Sequence, residues 1–369
     1  MKKILFNTIS FYTVGLLIVL LTTFEFKQIP IENNLEISSS FNKSNLLNTI
    51  SVEAESTYKY PLPLDLIVEY KDFPNFINIV DKQILITPTK YDLGEYTIYL
   101  NAYDYIKLNI YLNPIASDEL KINILNMLGN ESTNYGIYIY DLKRNVEISF
   151  NESNLFRAAS MVKVPIAIAI LKEVEDGNLS LDSYYNLKEN LIFTNLVGLG
   201  QYSVGTPFTI RQYLEAMIIE SDNTALNHLD AILSEKYGNN LNMHLKELLG
   251  VNFFVNPPET TPKEVGTVLE GLYNYRFLNK TNSDYLINLL MNAVPDLKEG
   301  IGLGIPSNIQ FANKIGFLDT NEDLSYMDSA IVYGTKTDYI VVVMNKNQPW
   351  TVARDNLKNL SSIIYKYLN

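Results

Sequence analysis

The 369-residue sequence contains no cysteine and only two histidines, His228 and His244. Without cysteine, the chain has no thiol nucleophile, no disulfide bond, no cysteine-ligated zinc and no iron–sulfur cluster. The spacing of the two histidines matches neither the HExxH motif nor a three-histidine zinc site. Any catalysis is therefore left to serine, lysine, tyrosine and the carboxylates, and we expect both histidines to be structural.

The chain also lacks an excess of positive charge, because its formal net charge is −12. A nucleic-acid-binding protein needs a basic stripe to neutralise phosphates, and no such stripe is present, so we predict no nucleic-acid partner. No cofactor-binding or metal-binding motif is found, and we expect none of these groups. A hydrophobic content of 47% is typical of a globular protein, and the length predicts two or three domains.

The N-terminal segment carries a long uncharged run, from Ile4 to Phe24, directly after Lys2 and Lys3. A helix of this length crosses a hydrocarbon core of about 30 Å. The alternative is a cleaved signal peptide, but such peptides have a shorter apolar region and a small-residue cleavage site, which is missing here. We therefore predict an uncleaved transmembrane signal-anchor at residues 1–26, with the lysines inside and the rest of the chain outside the cytoplasm.

The next two segments differ in amino-acid composition and in the spacing of their apolar residues. Residues 27–58 are polar and lack sustained periodicity, which predicts a stalk. Residues 59–114 contain short runs of β-branched and aromatic residues separated by turn formers, which predicts a small β-sandwich. The stretch 92–104 (DLGEYTIYLNAYD) resembles the late strands of immunoglobulin- or cadherin-like modules, which implies a role in spacing or adhesion.

From residue 115 to residue 369, helical and strand patterns alternate. The residues 117–128 and 352–368 have apolar side chains at helical spacing, while strand patterns occur near 136–150 and 329–345. Because strands stand at both ends of this region and helices lie between them, we predict an α+β fold. Its antiparallel sheet is built from both ends of the region, and a helical domain is inserted in the middle.

A serine and a lysine three residues apart, Ser160 and Lys163, open a nearly apolar helical segment. This spacing places both side chains on one face of a helix that has to be buried. Burial lowers the pKa of a lysine towards the range of a useful general base, and the free N–H groups at a helix start suit an oxyanion. The alternative interpretation is a capping serine and a lysine whose ammonium reaches solvent.

Two further short motifs follow, Ser221-Asp-Asn223 between two helices and Lys314-Ile-Gly316 before the last strands. Alone, the first is a common helix cap and the second carries little information. In this order, S-x-x-K, S-D-N and K-[ST]-G are the signature of class A β-lactamases and penicillin-binding proteins. Residues 115–369 thus resemble the class A β-lactamase-like serine hydrolases, a penicillin-recognising Ser-Lys acyl-enzyme family with a β-lactamase/DD-peptidase-like fold.

The resemblance implies a catalytic role for four residues. Ser160 is the nucleophile that β-lactams or D-Ala-D-Ala-type cell-wall peptides acylate, and Lys163 helps to take its proton. Ser221 relays a proton to the leaving nitrogen. Lys314 helps to hold Ser221 and attracts the carboxylate of the substrate.

The resemblance also implies a substrate-binding role for Asn223, Gly316 and Phe317. Asn223 would bind the amide chain of the substrate. The backbone N–H groups of Ser160 and Phe317 would form the oxyanion hole, next to Gly316.

Two departures from the family pattern limit these expectations. Ile315 replaces the family's Thr or Ser, so the hydroxyl that helps to fix the substrate carboxylate is missing, at a cost of about 1–3 kcal/mol. The loop before Pro262 is shorter than in the family, and Glu259 is the nearest carboxylate that could act as the deacylation base or cap the next helix. We therefore expect slow deacylation. The alternatives are a D-Ala-D-Ala carboxypeptidase or penicillin-binding protein, and a catalytically impaired surface binding protein.

Overall fold

The computed structural model describes residues 45–54, 56–63, 65–69, 73–89, 91–101, 104–111, 114–252, 259–320 and 323–369. The signal-anchor predicted at residues 1–26 lies outside the described residues, as does most of the predicted stalk. Among the residues that are described, no helix is both long enough and apolar enough to cross a membrane.

The first described part of the chain forms two three-stranded sheets. One sheet has the order β1 (Asn45–Glu53), β6 (Asp104–Tyr111), β5 (Gly94–Tyr99), and the other has the order β2 (Tyr58–Pro61), β4 (Gln83–Ile86), β3 (Ile77–Val80). Buried side chains of both sheets, among them Val52, Ile84 and Ile106, belong to one apolar cluster. In β6 the buried residues alternate with exposed ones, as expected for a strand with one buried face.

Strand β1 lies inside the segment that the sequence predicts to be a stalk, so residues 45–53 depart from that prediction. Only Ile50 and Val52 of this strand are fully buried, and exposed Ser51 separates them. An alternation of two buried residues is too short to indicate a strand among neighbouring Asn and Ser residues. The strand is stabilised by its neighbour β6, which is distant in sequence.

The second part contains a five-stranded antiparallel sheet. Its order is β13 (Gln310–Asp319), β14 (Leu324–Tyr333), β15 (Asp338–Asn345), β7 (Tyr135–Asp141), β8 (Val146–Phe150). The pairing of β15 with β7 joins the two ends of the region, with Val341 opposite Ile139. The predicted α+β architecture, with a sheet built from both ends, is confirmed.

Helices cover both faces of this sheet. On one face, α1 (Pro114–Leu128) and α8 (Trp350–Leu368) share an apolar cluster with the sheet. The remaining helices contribute to the larger cluster on the other face: α2 (Lys163–Glu175), α3 (Ile210–Ile219), α4 (Asn223–Tyr237), α5 (Leu241–Leu249), α6 (Pro262–Tyr273) and α7 (Lys280–Met291). Two short ladders complete the region: β9 (Phe156–Arg157) pairs with β12 (Glu259–Thr260), and β10 (Tyr184–Asn186) pairs with β11 (Pro207–Thr209).

Helix α2 is almost completely enclosed by its neighbours in the described part of the chain. Every residue from Lys163 to Leu171 is buried, and the helix contacts α3, α4, α5 and α7. Complete burial of Ile166, Ile168 and Ile170 contributes about 1.5–3 kcal/mol for each side chain. The start of α2 is therefore held rigidly, which matters because Lys163 is its first residue.

Candidate active site

Ser160 lies in a 3₁₀ turn, Ala159–Val162, that leads into α2, rather than in the α-helix predicted to start there. Ala159 has a φ of +46°, a left-handed conformation that alanine rarely adopts. Such strain is often held at functional sites. Strand β13 packs against this turn at Gly316, where a Cβ atom would lie 3.2 Å from the Ala158 carbonyl oxygen. The absence of a side chain at Gly316 thus allows the strand to approach Ser160.

The Lys163 amine is the centre of a buried polar cluster. Its Nζ lies 3.0 Å from Ser160 Oγ and 3.0 Å from Ser221 Oγ, and it donates to the Ser221 carbonyl oxygen (2.6 Å) and Asn223 Oδ1 (2.8 Å). A neutral amine has two N–H donors and one lone pair. The carbonyl and amide oxygens take the two donors, which leaves the lone pair for the Ser160 hydroxyl proton.

The electrostatics favour this neutral form. Lys163 has no exposed surface, and burial, together with the positive charge of Lys314, lowers its pKa to about 6, although Asp222 acts in the opposite direction. At neutral pH most molecules therefore carry an uncharged Lys163. An amine with a pKa near the working pH, in hydrogen-bond contact with a serine hydroxyl, satisfies the requirements of a general base.

Ser221 bridges the two lysines of the site. Its Oγ lies 2.9 Å from Lys314 Nζ as well as 3.0 Å from Lys163 Nζ, and its φ of +56° is again left-handed. Burial lowers the pKa of Lys314 to about 8, with Asp328 opposing the change. Lys314 thus keeps its proton at pH 7 while Lys163 has lost its own. The hydroxyl of Ser221 connects a proton donor with a proton acceptor.

Asp222 fixes the segment that carries Ser221 and Asn223. One carboxylate oxygen accepts a hydrogen bond from Ala225 N (2.7 Å) and caps α4, and the other accepts from Leu199 N (2.8 Å). The cap was anticipated from the sequence as one interpretation of the Ser-Asp-Asn motif. The bond to Leu199 was not, because no local pattern reveals a partner 23 positions away.

Replacing Asp222 with alanine is therefore expected to affect both stability and reactivity. Loss of the cap costs about 1–2 kcal/mol of unfolding free energy, and the displacement of Ser221 slows acylation of Ser160 at least tenfold. Asn279→Ala is a matched control, because Asn279 caps α7 through Asn282 N (3.0 Å). It should lower the melting temperature comparably and leave acylation unchanged; equal effects of both variants on acylation would contradict a positioning role for Asp222.

The other residues predicted on β13 are placed less directly at the site. Ile315 is 6% exposed, and its side chain belongs to the cluster with α1 and α8, on the face opposite Lys314. Position 315 thus offers the site only its backbone. The Phe317 side chain is 46% exposed and contacts Tyr326 edge to face, with ring centroids 6.1 Å apart.

The structure places Glu259 in a short strand before α6. It lies in β12 opposite Arg157 of β9, and no hydrogen bond joins it to Ser160 or Lys163 within the described residues. The capping interpretation of Glu259 is wrong, because Thr261 is the N-cap of α6 and Glu264 completes its capping box. Residues 253–258 of the preceding loop lie outside the described part of the chain.

Both histidines lie away from this cluster. His228 Nδ1 is 2.8 Å from the Thr224 carbonyl oxygen, and its Nε2 accepts from Lys188 N (2.9 Å), an arrangement that requires a neutral ring with the proton on Nδ1. Burial lowers the pKa of His228 and so maintains that form. His244 stacks on Tyr237 with ring centroids 3.8 Å apart.

Replacing either histidine with glutamine should leave the rate of acylation of Ser160 within about twofold of the original, since neither ring contacts the reacting groups. His228→Gln is expected to lower the melting temperature, because the His228 ring is buried and bonded on both nitrogens. Acylation rates and thermal melts of both variants test this prediction. A tenfold loss of acylation in a stable variant would contradict it.

The sequence is similar to a family of beta-lactamase enzymes and to one of the known beta-lactamases. The profile of the beta-lactamase enzyme family matches residues 119–368. The chain is also similar to the beta-lactamase VEB-1 of Pseudomonas aeruginosa, with 21% identity over 225 residues, which cover 57% of this chain and 75% of VEB-1.

Solved structures show the same fold. The TLA-1 extended-spectrum beta-lactamase is similar with a TM-score of 0.63 and 21% identity, covering 69% of this chain and 99% of that one. PBP-A is similar with a TM-score of 0.60 and 22% identity, covering 67% and 95%. An acyl-enzyme complex of a PBP-A variant with penicillin G has a TM-score of 0.60 and 21% identity, covering 68% and 96%.

Proposed function

The chain belongs to the beta-lactamase enzyme family, and from this premise we propose that this serine hydrolase is acylated at Ser160 by β-lactams or D-Ala-D-Ala-type peptides and releases the acyl group slowly. The observation that carries the proposal is the 3.0 Å distance between Ser160 Oγ and a fully buried Lys163 amine. Burial of a lysine without solvent contact costs free energy, and we propose that this lysine is present because its neutral amine takes the serine proton.

Acylation follows from the hydrogen bonds of the cluster. Lys163 takes the proton of Ser160 as Oγ attacks the amide carbonyl carbon, and the carbonyl oxygen becomes an oxyanion. When the C–N bond breaks, the Ser221 hydroxyl gives its proton to the leaving nitrogen and regains one from Lys163. The cationic Lys314, 2.9 Å from Ser221 Oγ, stabilises the electron-rich oxygen during this transfer.

Substrate binding is proposed at the residues that the family resemblance implies. The backbone N–H groups of Ser160 and Phe317 hold the oxyanion, and Asn223 binds the amide chain. Asn223 Oδ1 already accepts from Lys163, so its side-chain NH₂ is the group that remains for the substrate. Because the Ile315 side chain packs on the face of β13 opposite Lys314 and carries no hydroxyl, position 315 offers a substrate carboxylate only backbone groups, and we propose that this carboxylate is bound weakly.

Slow deacylation is proposed because no carboxylate that could activate water for hydrolysis of the acyl-enzyme is found beside Ser160 among the described residues. The loop before Pro262 is short in sequence, and Glu259, in β12 opposite Arg157 of β9, makes no hydrogen bond to Ser160 or Lys163 among the described residues. This profile favours a D-Ala-D-Ala peptidase or penicillin-binding protein over a fast lactamase, and the similarity to PBP-A agrees with it. A purely binding role is disfavoured because the complete Ser160–Lys163–Ser221–Lys314 cluster is present.

A fluorescent penicillin tests the proposal. The full chain, mixed with the penicillin, should gain the mass of one acyl group within minutes, and Ser160→Ala should gain none. The proposed slow release predicts an adduct that persists for many minutes after free penicillin is removed. Absence of an adduct, or an adduct on Ser160→Ala, would refute acylation at Ser160, and clearance within seconds would refute slow deacylation.

We also propose that residues 1–26 anchor the chain in a membrane and that the segment 59–114 is an immunoglobulin- or cadherin-like β-sandwich that spaces the enzyme from it. The support is the uncharged run after Lys2 and Lys3, and the two small sheets with a common core, which strand β1 extends to residue 45. Deleting residues 2–26 is expected to move the protein from the membrane fraction to the soluble fraction of expressing cells. An unchanged distribution would contradict the anchor.

A further inference from the structure

An open groove of about 610 Å³ lies away from the Ser160 cluster, where α6 ends beside α7 and the strands β13 and β14. Its volume is within the range of small-molecule sites. Tyrosine rings and amide side chains dominate its lining, including Tyr273, Tyr275, Tyr333, Asn288 and Gln310. No step of the proposed acylation uses this groove.

The tyrosine rings form a preformed aromatic wall. The ring centroids of Tyr273 and Tyr333 are 6.2 Å apart, and the Tyr273 hydroxyl donates to Asp338 Oδ2 (2.7 Å), which fixes the ring. Tyr275 is 44% exposed and has a left-handed φ of +56°. This conformation ends α6, where Arg276 N donates to the Gly271 carbonyl oxygen (2.8 Å), and it leaves the Tyr275 ring at the surface with Lys280 Nζ 5.1 Å from the ring centroid.

The polar groups of the groove are available for a ligand. Gln310 and Asn274 are exposed, and their side-chain amides have no hydrogen bond in the part of the chain that is described. Asn288 Oδ1 accepts from Asn292, which leaves the NH₂ group of Asn288. Lys280 pairs with Asp284, the acid at the groove, so little net charge is present.

We propose that this groove binds a neutral oligosaccharide. The C–H faces of pyranose rings pack on aromatic rings, and sugar hydroxyls are matched by amide groups that both donate and accept. Low net charge disfavours an anionic ligand, and amides between the rings disfavour a purely apolar one. The ligand class thus follows from the combination of rings and unpaired amides.

The groove and the acylation site lie at different positions along β13. Gln310 and Lys314 are four residues apart on this strand, at a separation of about 13 Å, and Ala312 between them is fully buried. Binding itself does not rest on the proposed function, because it needs no acylation.

Isothermal titration of the full chain with chitohexaose and cellohexaose tests the proposal. We expect binding of at least one hexamer, and a tenfold or greater weakening in both Tyr275→Ala and Gln310→Ala. Tyr184→Ala, which removes a 69% exposed tyrosine from β10, should bind as the original does. All three variants should still be acylated by penicillin, so the test is separate from that of the catalytic cluster.

Three results would overturn the proposal. The first is no heat of binding with either hexamer at 10-fold molar excess and no chemical-shift change on their addition at millimolar concentration. The second is binding that Tyr275→Ala and Gln310→Ala leave unchanged. The third is that a proline-rich peptide, which also packs on tyrosine rings, binds at this groove and neither sugar does.

Discussion

Replacing Lys163 with methionine is expected to slow acylation of Ser160 by penicillin about 10³-fold, the size of effect typical for loss of a general base. Methionine keeps the unbranched shape within α2 but cannot accept the Ser160 proton. The other groups around the amine, the Ser221 carbonyl oxygen and Asn223 Oδ1, lose their donor at the same time. The rate of adduct formation, measured by intact mass, gives the effect directly.

Lys172→Met is the matched control, because Lys172 lies on the same helix, is partly exposed and pairs with Asp176. This variant should acylate at the original rate. Comparable losses in both variants would indicate a general disturbance of α2 and contradict the role of Lys163. Recovery of activity by Lys163→Arg would contradict it as well, since an arginine stays protonated and cannot act as a base.

The pH dependence of acylation provides a second check of the same residue. Lys163 must be neutral and its pKa is about 6, so the acylation rate should rise with pH up to this value. Lys314 must be charged and its pKa is about 8, so the rate should fall above that value. A bell-shaped profile with limbs near these two values is expected, and a rate that still rises tenfold per unit at pH 9 would contradict the assignment.

The sequence was sufficient to predict the members of the cluster but not how they are held. Ser160 and Lys163 are three residues apart, so local helix geometry predicts their contact. Ser221 and Lys314 come from segments 58 and 151 positions from Lys163, and only the order of the motifs indicated that they meet. The left-handed φ values of Ala159 and Ser221 have no sequence signal, because both residues usually avoid that conformation.

The same limit applies to the fold. Long apolar or alternating segments predicted the sheet and its covering helices, because their periodicity reports burial along one element. Strand β1 was missed because it is stabilised by pairing with β6, which is distant in sequence. The N-cap of α6 was assigned to Glu259 and not to Thr261, because several adjacent residues can cap the same helix. Ile315 shows the same effect within the site. The residue type shows from the sequence that a hydroxyl is missing at position 315. Only the sheet register shows that the Ile315 side chain faces the apolar cluster shared with α1 and α8.

The burial of Lys163 is also expected to make stability depend on pH in a specific direction. Its pKa falls from 10.5 to about 6 on folding, so between these values the unfolded chain binds a proton that the folded chain does not. The free energy of unfolding therefore rises with pH in this window, by up to about 1.4 kcal/mol per pH unit. The destabilisation caused by burying this lysine is therefore greatest below pH 6, where the lysine is charged in both states, and disappears above pH 10.5, where it is neutral in both.

Lys163→Met removes the contribution of Lys163 to this pH dependence. The hydrogen bonds lost in the variant change its free energy of unfolding by an amount that does not depend on pH. From pH 7 to pH 9, the original chain should gain about 2.7 kcal/mol of unfolding free energy relative to the methionine variant. Lys314, present in both proteins, contributes to both curves and cancels in the difference. Urea unfolding of the two proteins at half-unit pH steps measures this difference, with Lys172→Met as the control that should run parallel to the original. Parallel curves for Lys163→Met would mean that Lys163 keeps its proton on folding, and the base for Ser160 would then have to be sought elsewhere in the cluster.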